Sequence, residues 1–495
     1  MLVQAAASGR VGDMLQAGAF ALQAGAQANA LSPVELALRR DPANARLWQL
    51  LGLLNRDLDD LPAATRAFAK AAELLPGDAM IANGHACVSL EAGLPAVDLF
   101  EHAIRADPRD RALLIRLAAA RVDQGETKQA IGGLEEAVAR YPDWAEAHGK
   151  LAKLKWAHGD RAHFADSFER ALAATPRNAD LWQAYADLVS QDQLHEQALD
   201  VVARARTALG PLPNLDAVEV IARAELRQME AAEGLFPQAL QTGRLDVIVA
   251  FLRLLIRTGR PREAAVIAEN NVAQVGNHLW PYLSIAWRML GDPRWEWLEG
   301  DPSFIGVYDI ADSLPEVGEL AERLRALHRS TEAPLDQSLR GGTQTDGHLL
   351  LPLRAAFAEL REAIVAAVER HVAQLPPPRP GHPLLVERRA PINFSGSWSV
   401  RLAGGGHHVD HVHPAGWISS ALYIVLPSES DRGDGKAGWL SLGEPRDLCP
   451  DLAPLRVVEP KRGRLVLFPS TMWHGTRPFG AGERLTVAFD VKRPA

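Results

Sequence analysis

Cysteine is nearly absent: Cys87 and Cys449 are the two thiols in 495 residues. A disulfide framework is thereby excluded, and a zinc-finger-type site, which needs several thiolates, is not expected. Long apolar runs are missing too, since no segment reaches the roughly 20 apolar residues that a membrane span needs. The opening residues, MLVQAAASGRVGDMLQAGAF, lack a basic start followed by an apolar stretch, so no secretory leader is expected. Nor is there an excess of positive charge. A net charge of −8 leaves no electrostatic footprint for nucleic acid or for an anionic membrane. What remains, 47% hydrophobic and 23% charged residues, is the composition of a globular protein, and the length asks for two or more domains. The expectation is a cytoplasmic protein without nucleic-acid or membrane partners.

The first half of the chain repeats itself. Pro42, Pro76, Pro108, Pro142 and Pro176 lie 34, 32, 34 and 34 residues apart, and Gly210-Pro211 extends the series. Before Pro76 stand Trp48, Leu51, Gly52, Ala64, Phe68 and Ala71; the same slots before Pro142 hold Leu114, Leu117, Ala118, Ala130, Leu134 and Ala137. Small residues at the eighth and twentieth slots let two helices approach. Large ones at slots four, seven and twenty-four fill the space between neighbours, and proline ends the second helix. This period resembles the tetratricopeptide repeat, a helix–turn–helix unit that is stable only when stacked. Clear repeats are expected over about 43–211, with degenerate capping repeats on either side, in an α-helical solenoid over 1–293.

Past Trp295 the pattern changes. FIGVYDI (Phe304 to Ile310) reads as a strand, LPEVGELAERLRALH as a helix, and LPLRAAFAELREAIVAAVERHVAQLP as a long amphipathic helix. Short strand-like runs follow, among them SWSVRLA, SSALYIVLP, GWLSLG, RLVLFPS and RLTVAFDVK. Such spacing predicts a sandwich or barrel. The expected architecture is multidomain α + β: the solenoid, then residues 294–495 as a second domain with flanking helices and a β core at about 385–495.

Chemistry concentrates in that second domain. GGGHHVDHVHPAG, from Gly404 to Gly416, holds four histidines and an aspartate within seven residues. Later, His474 follows an apolar strand, Arg484 comes ten residues after it, and Thr486 two further on. Two histidines and a carboxylate with open positions suit non-haem Fe(II). The open positions are needed for 2-oxoglutarate and O₂, and a buried arginine can hold the distal carboxylate of 2-oxoglutarate in a bidentate pair.

With these motifs the chain resembles oxygenases dependent on 2-oxoglutarate and Fe(II) that are fused to tetratricopeptide repeats. The resemblance runs from about Trp295 to the end, through DQSLRGGTQT (Asp336 to Thr345), SWSV, HVHPAGWISSALYIVLP, GRLVLFPSTMWHGTRP and ERLTVAFDV. A more distant similarity is to aspartyl/asparaginyl β-hydroxylases, with the spacing of the prolyl hydroxylases near His408. The resemblance implies a double-stranded β-helix, or jelly roll. It also implies His411, His413 and His474 as metal ligands, Arg484 as the 2-oxoglutarate arginine, and Thr486 and Tyr423 beside it.

Two ligand registers stay open, as does a cluster that is only a surface loop without a metal. His411-Val-His413 has the family's register; His408-Val-Asp410 has the textual form of a His-x-Asp pair. On a regular strand the two pairs face opposite ways. His411 with His474 alone, water replacing the acid, is a further form of the first register. Tyr423 also reads as an ordinary core residue, and Trp417, Trp439 and Trp473 as core or pocket wall. The Asp336–Thr345 segment is expected to be a loop over the site, with Arg340 as a substrate or cosubstrate contact.

The expected activity is hydroxylation of a side chain on a peptide or protein recruited by the repeats. The alternatives are an oxygenase of a small metabolite, or a peptide-binding scaffold whose β domain has lost catalysis. Every residue assigned chemistry lies after Trp295, so the repeats are expected to offer only surface.

Overall fold

Between Gly25 and Gly291 the backbone passes through a left-handed residue every 32 to 34 positions: Gly25, Asp59, Gly93, Gly125, Gly159, Gln193, Arg227, Gly259 and Gly291, with φ between +59° and +92°. Each but Gly291, which ends the helix Trp280–Leu290, follows the first helix of a pair, where a left-handed residue ends a helix and turns the chain back. Glycine adopts that conformation freely, whereas Asp59, Gln193 and Arg227 do so at a cost of about 1 kcal/mol each. The computed structural model describes residues 10–191, 193–332, 338–433 and 435–494. Part of the reading of the N-terminus, and Asp336 and Gln337 of the family-like segment, lie outside the described residues.

Among the described residues eight helix pairs succeed one another, from Val11–Gln23 with Gln27–Arg40 to Leu245–Arg257 with Pro261–Val275, and Trp280–Leu290 follows. The stretches outside 43–211 thus keep the helix–turn–helix form although their slot residues have drifted. Capping is local: the Asn44, Asp60 and Asp78 side chains accept from Leu47, Ala63 and Ile81 N–H at 3.2, 3.0 and 3.0 Å. Trp48 and Trp182 each donate Nε1–H to the carbonyl of the proline six residues earlier, Pro42 and Pro176, both at 2.9 Å. Gly52, the small residue of its repeat, and Gly84 lie so close to the Phe68 ring that a Cβ at either would overlap it.

The chain divides into two compact units, residues 1–136 with 347–361, and residues 137–346 with 362–495. In the first, Leu353 N–H bonds the Ala92 carbonyl at 2.8 Å and Arg354 pairs with Asp123. In the second, the helices around residues 252–287 share a core with Leu448 and Trp473 of the sheet domain. The contact boundary falls inside the repeat array.

The C-terminal region is an antiparallel sheet domain. Nine strands are described: β1 Gly306–Asp309, β2 Leu339–Gln344, β3 Phe394–His408, β4 Ile418–Val425, β5 Leu440–Leu442, β6 Arg456–Val458, β7 Arg464–Pro469, β8 His474–Thr476 and β9 Arg484–Val491. Six form a sheet in the order β1-β7-β4-β9-β3-β2, and three form another in the order β6-β5-β8. An apolar cluster containing Tyr423, Val466 and Phe468 of the first sheet and Leu440, Leu442 and Val458 of the second joins them. The strand at FIGVYDI and the helices Val317–Leu327 and Ala358–Gln374 stand where the patterns place them.

β1 and β2 edge the larger sheet from upstream of residue 385. One expectation is corrected. The described part of Asp336–Thr345 is not a loop: β2 pairs with β3, with a register shift between Arg340 and Gly342. Gly341, at φ +71°, supplies the local turn for that shift. No helix among the described residues is long and apolar enough to cross a membrane.

Candidate metal centre

β3 ends at His408, and the next five residues leave regular strand geometry. They are held instead by the start of β8 and the turn before it. His411 and His474 exchange backbone hydrogen bonds at 2.9 and 3.0 Å, and His413 N–H bonds the Ser470 carbonyl at 2.9 Å. Three imidazoles are thereby gathered. The candidate ligand atoms of His411, His413 and His474 lie within 4.8 Å of one another. The ring centroids are 4.2 Å apart for His411 and His474, 4.9 Å for His411 and His413, and 5.1 Å for His413 and His474.

Each ring also has its Nδ1 engaged. His411 Nδ1 faces the Val409 carbonyl at 2.8 Å, His474 Nδ1 the Met472 carbonyl at 3.0 Å, and His413 Nδ1 the Asp490 carboxylate at 2.8 and 2.9 Å. These acceptors assign the proton to Nδ1 and leave the Nε2 lone pair for a ligand, the arrangement of metal-binding histidines. Loss of water on burial, then the neighbouring imidazoles, holds the His411 and His474 pKa values well below the ordinary range. Both rings are neutral at pH 7, as metal ligands must be. Three imidazoles suit a first-row divalent metal.

The rival pair is split. Asp410 is taken by Arg446, whose Nε and Nη2 lie 2.7 and 2.5 Å away and whose backbone N–H adds a bond at 2.9 Å. His408, by contrast, joins the cluster: its ring stacks on His411 at 5.8 Å. The Ser338 hydroxyl lies 3.0 Å from His408 Nδ1 and 3.2 Å from His411 Nε2. The expected opposition of the two pairs is absent because residues 409–413 are not a regular strand. Asp410→Ala is expected to cost about 1–2 kcal/mol by stranding Arg446 while leaving the metal content of the folded protein unchanged. Thermal melting and metal analysis of one preparation check both.

Strand periodicity places the second half of the site. Arg484, Thr486 and Asp490 alternate along β9 onto one face, and Tyr423 pairs with Thr486 across β4. The Arg484 guanidinium is buried, 4.9 Å over the Tyr423 ring, and its Nη1 donates to the Gly438 carbonyl at 2.9 Å. Its Nε and the Tyr423 hydroxyl are buried without a hydrogen-bond partner. Among the described residues no carboxylate forms an ion pair with Arg484. Burial pushes the Arg484 pKa down and the Tyr423 pKa up. A desolvated guanidinium is costly to leave uncompensated.

Sequence reasoning missed Asp490, Ser338 and Arg446. Asp490 was accessible: counting by two from Arg484 along a strand reaches it. It accepts from Ser419 Oγ at 2.5 Å, and Ser419 Oγ lies 2.9 Å from Ser470 Oγ, so the group orienting His413 is itself held. Trp417 and Trp473 are buried, donating Nε1–H to Leu384 and Pro281 carbonyls at 2.8 and 3.1 Å.

Residues 396–490 match the family model described as "Putative 2OG-Fe(II) oxygenase", and residues 96–154 match a tetratricopeptide repeat model. No curated protein matches the chain. Among solved structures, a crystal structure of MamA protein is 19% identical, covering 34% of this chain and 96% of that one, with a TM-score of 0.31. A tetratricopeptide repeat protein from Parabacteroides merdae is 18% identical over 49% and 94%, with a TM-score of 0.32. YrrB, described as a TPR protein with an unusual peptide-binding site, is 21% identical over 37% and 95%, with a TM-score of 0.26. Structural similarity that low carries no functional argument. The two family matches make this a tetratricopeptide-repeat-containing chain with a 2OG-Fe(II) oxygenase-family segment.

Proposed function

We propose that the protein is a 2-oxoglutarate- and Fe(II)-dependent dioxygenase that hydroxylates a side chain of a peptide or protein bound by the repeats. One observation carries this reading: three imidazoles with ligand atoms within 4.8 Å of one another share a domain with a buried arginine that forms no ion pair with a carboxylate among the described residues. His411, His413 and His474 would hold the iron. Arg484 would receive the distal carboxylate of 2-oxoglutarate, with Thr486 beside it and the Tyr423 ring beneath the guanidinium. We read the two joined sheets as a jelly roll and residues 294–495 as the oxygenase domain. When bound, iron and 2-oxoglutarate supply O₂ activation, oxidising a C–H bond to an alcohol while 2-oxoglutarate becomes succinate and CO₂.

The chain's own part is to orient and to exclude water. The Val409 and Met472 carbonyls and the Asp490 carboxylate fix the three rings in one tautomer. Asp490→Asn keeps the shape but loses the anionic acceptor; a 10- to 100-fold weaker metal affinity is expected, read by Fe(II) titration of the folded variant.

An anaerobic titration with Fe(II) and then 2-oxoglutarate tests the whole reading. A weak visible charge-transfer band, and slow succinate release in air without added substrate, are the expected results. An all-histidine donor set also suits zinc. Absence of both the band and succinate release in the Fe(II)-loaded protein would overturn the proposal.

A further inference from the structure

Above the histidines opens a cavity of about 950 Å³, and all of its lining lies within the second compact unit. His411, His413 and Asp490 form one side. The other side comes from the repeat array, through the helices Ala179–Gln191, His195–Leu209, Pro213–Glu225, Leu245–Arg257 and Trp280–Leu290. The repeats therefore do more than present an outer surface, which corrects the expectation drawn from the sequence. The volume is near the top of the range of about 300–1,000 Å³ found for small-molecule pockets.

The carboxylates on this lining are already engaged. Glu225 pairs with Arg253 at 2.6 Å, Asp246 with Arg244 at 2.6 Å, and Asp447 with Arg257 at 2.5 Å. Asp410 is held by Arg446, and Asp490 is hydrogen-bonded to His413 Nδ1 and accepts from Ser419 Oγ. No lining carboxylate is left to receive a cationic ligand. What the repeat wall offers instead is neutral: Ser190, Gln191 and Gln193, with partly exposed Ile221 and Val249 beside them. Amides that both donate and accept, interleaved with aliphatic side chains, match the amide backbone and apolar side chains of a polypeptide.

Gln193 adds an independent sign. It occupies the left-handed turn position at φ +60°, where the preceding and the second following turns of the series carry Gly159 and Gly259. A side chain there costs backbone energy that glycine avoids. Its amide oxygen accepts from Arg340 of β2 at 2.7 Å, across the cavity mouth.

Resting on the reading of the histidines as an iron site, we infer that these helices form the substrate wall of that site and select an uncharged stretch of polypeptide. The test uses full-length protein loaded with Fe(II) and 2-oxoglutarate under argon, and a random dodecapeptide library as the probe. Uncharged sequences should be enriched. Gln193→Gly should weaken binding of the enriched peptides about tenfold, the scale of one lost hydrogen bond, without lowering the melting temperature. Val249→Trp, which fills the cavity from the opposite helix, should weaken it further, with iron content unchanged in both variants. Enrichment of charged peptides, no enrichment, or binding indifferent to both variants would overturn the inference. A wild-type protein that takes up no iron would instead overturn the iron reading, which this readout keeps separate.

Discussion

Replacing His474 by alanine is expected to reduce bound iron to background while the protein stays folded. His474 heads β8, is 6% exposed, and joins His411 through two backbone hydrogen bonds that do not depend on its side chain. The substitution therefore removes a donor without unpinning the loop that carries the others. Two imidazoles from one short loop cannot replace a third from the facing strand. His411→Ala should lose iron equally. His413→Ala should weaken binding rather than abolish it, because water can fill a position beside two remaining imidazoles. His408→Ala should retain most of the iron, since its Nδ1 faces the Ser338 hydroxyl. Iron analysis of the four variants, each checked by near-UV circular dichroism, decides the matter. Full iron in His474→Ala would remove the oxygenase reading, and iron lost from His408→Ala but kept in His411→Ala would exchange the two registers.

Much of this architecture is legible in the residues, and the illegible parts share a cause. The prolines at 32 to 34 residues and the small residues at fixed slots mark the solenoid because each repeat meets the same packing demand. Outside 43–211 that demand persists but is met by different residues, so the left-handed turns continue while the slot pattern fades. β6 and β8 escape reading because three residues are too few to show alternation. The candidate ligands stand out because histidines and an arginine at such spacing are rare. Whether Asp410 or His413 faces the centre could not be read, since the answer depends on Arg446, distant in sequence. The cavity wall was invisible for the same reason: Gln193 and Val249 acquire a role only when the repeats and the sheet domain share one core.

Arg484→Met is expected to separate ligand binding from packing, since the two make opposite predictions. Without an anion, the guanidinium is buried on Tyr423 with Nε unpartnered, a state that costs energy. A methionine of similar length relieves that cost, so the ligand-free variant should melt no lower than wild type, and iron should remain bound. With 2-oxoglutarate the order reverses. A desolvated, charge-assisted pair is worth a few kcal/mol, so affinity should fall by roughly 10²-fold. The upward shift in melting temperature that 2-oxoglutarate produces in the iron-loaded wild type should largely vanish at the same concentration. Arg484→Lys keeps the charge but not the two-pronged geometry, and should recover only part of the affinity. A purely structural arginine would give the contrary pattern: a ligand-free Arg484→Met protein that melts well below wild type, and an unchanged response to 2-oxoglutarate.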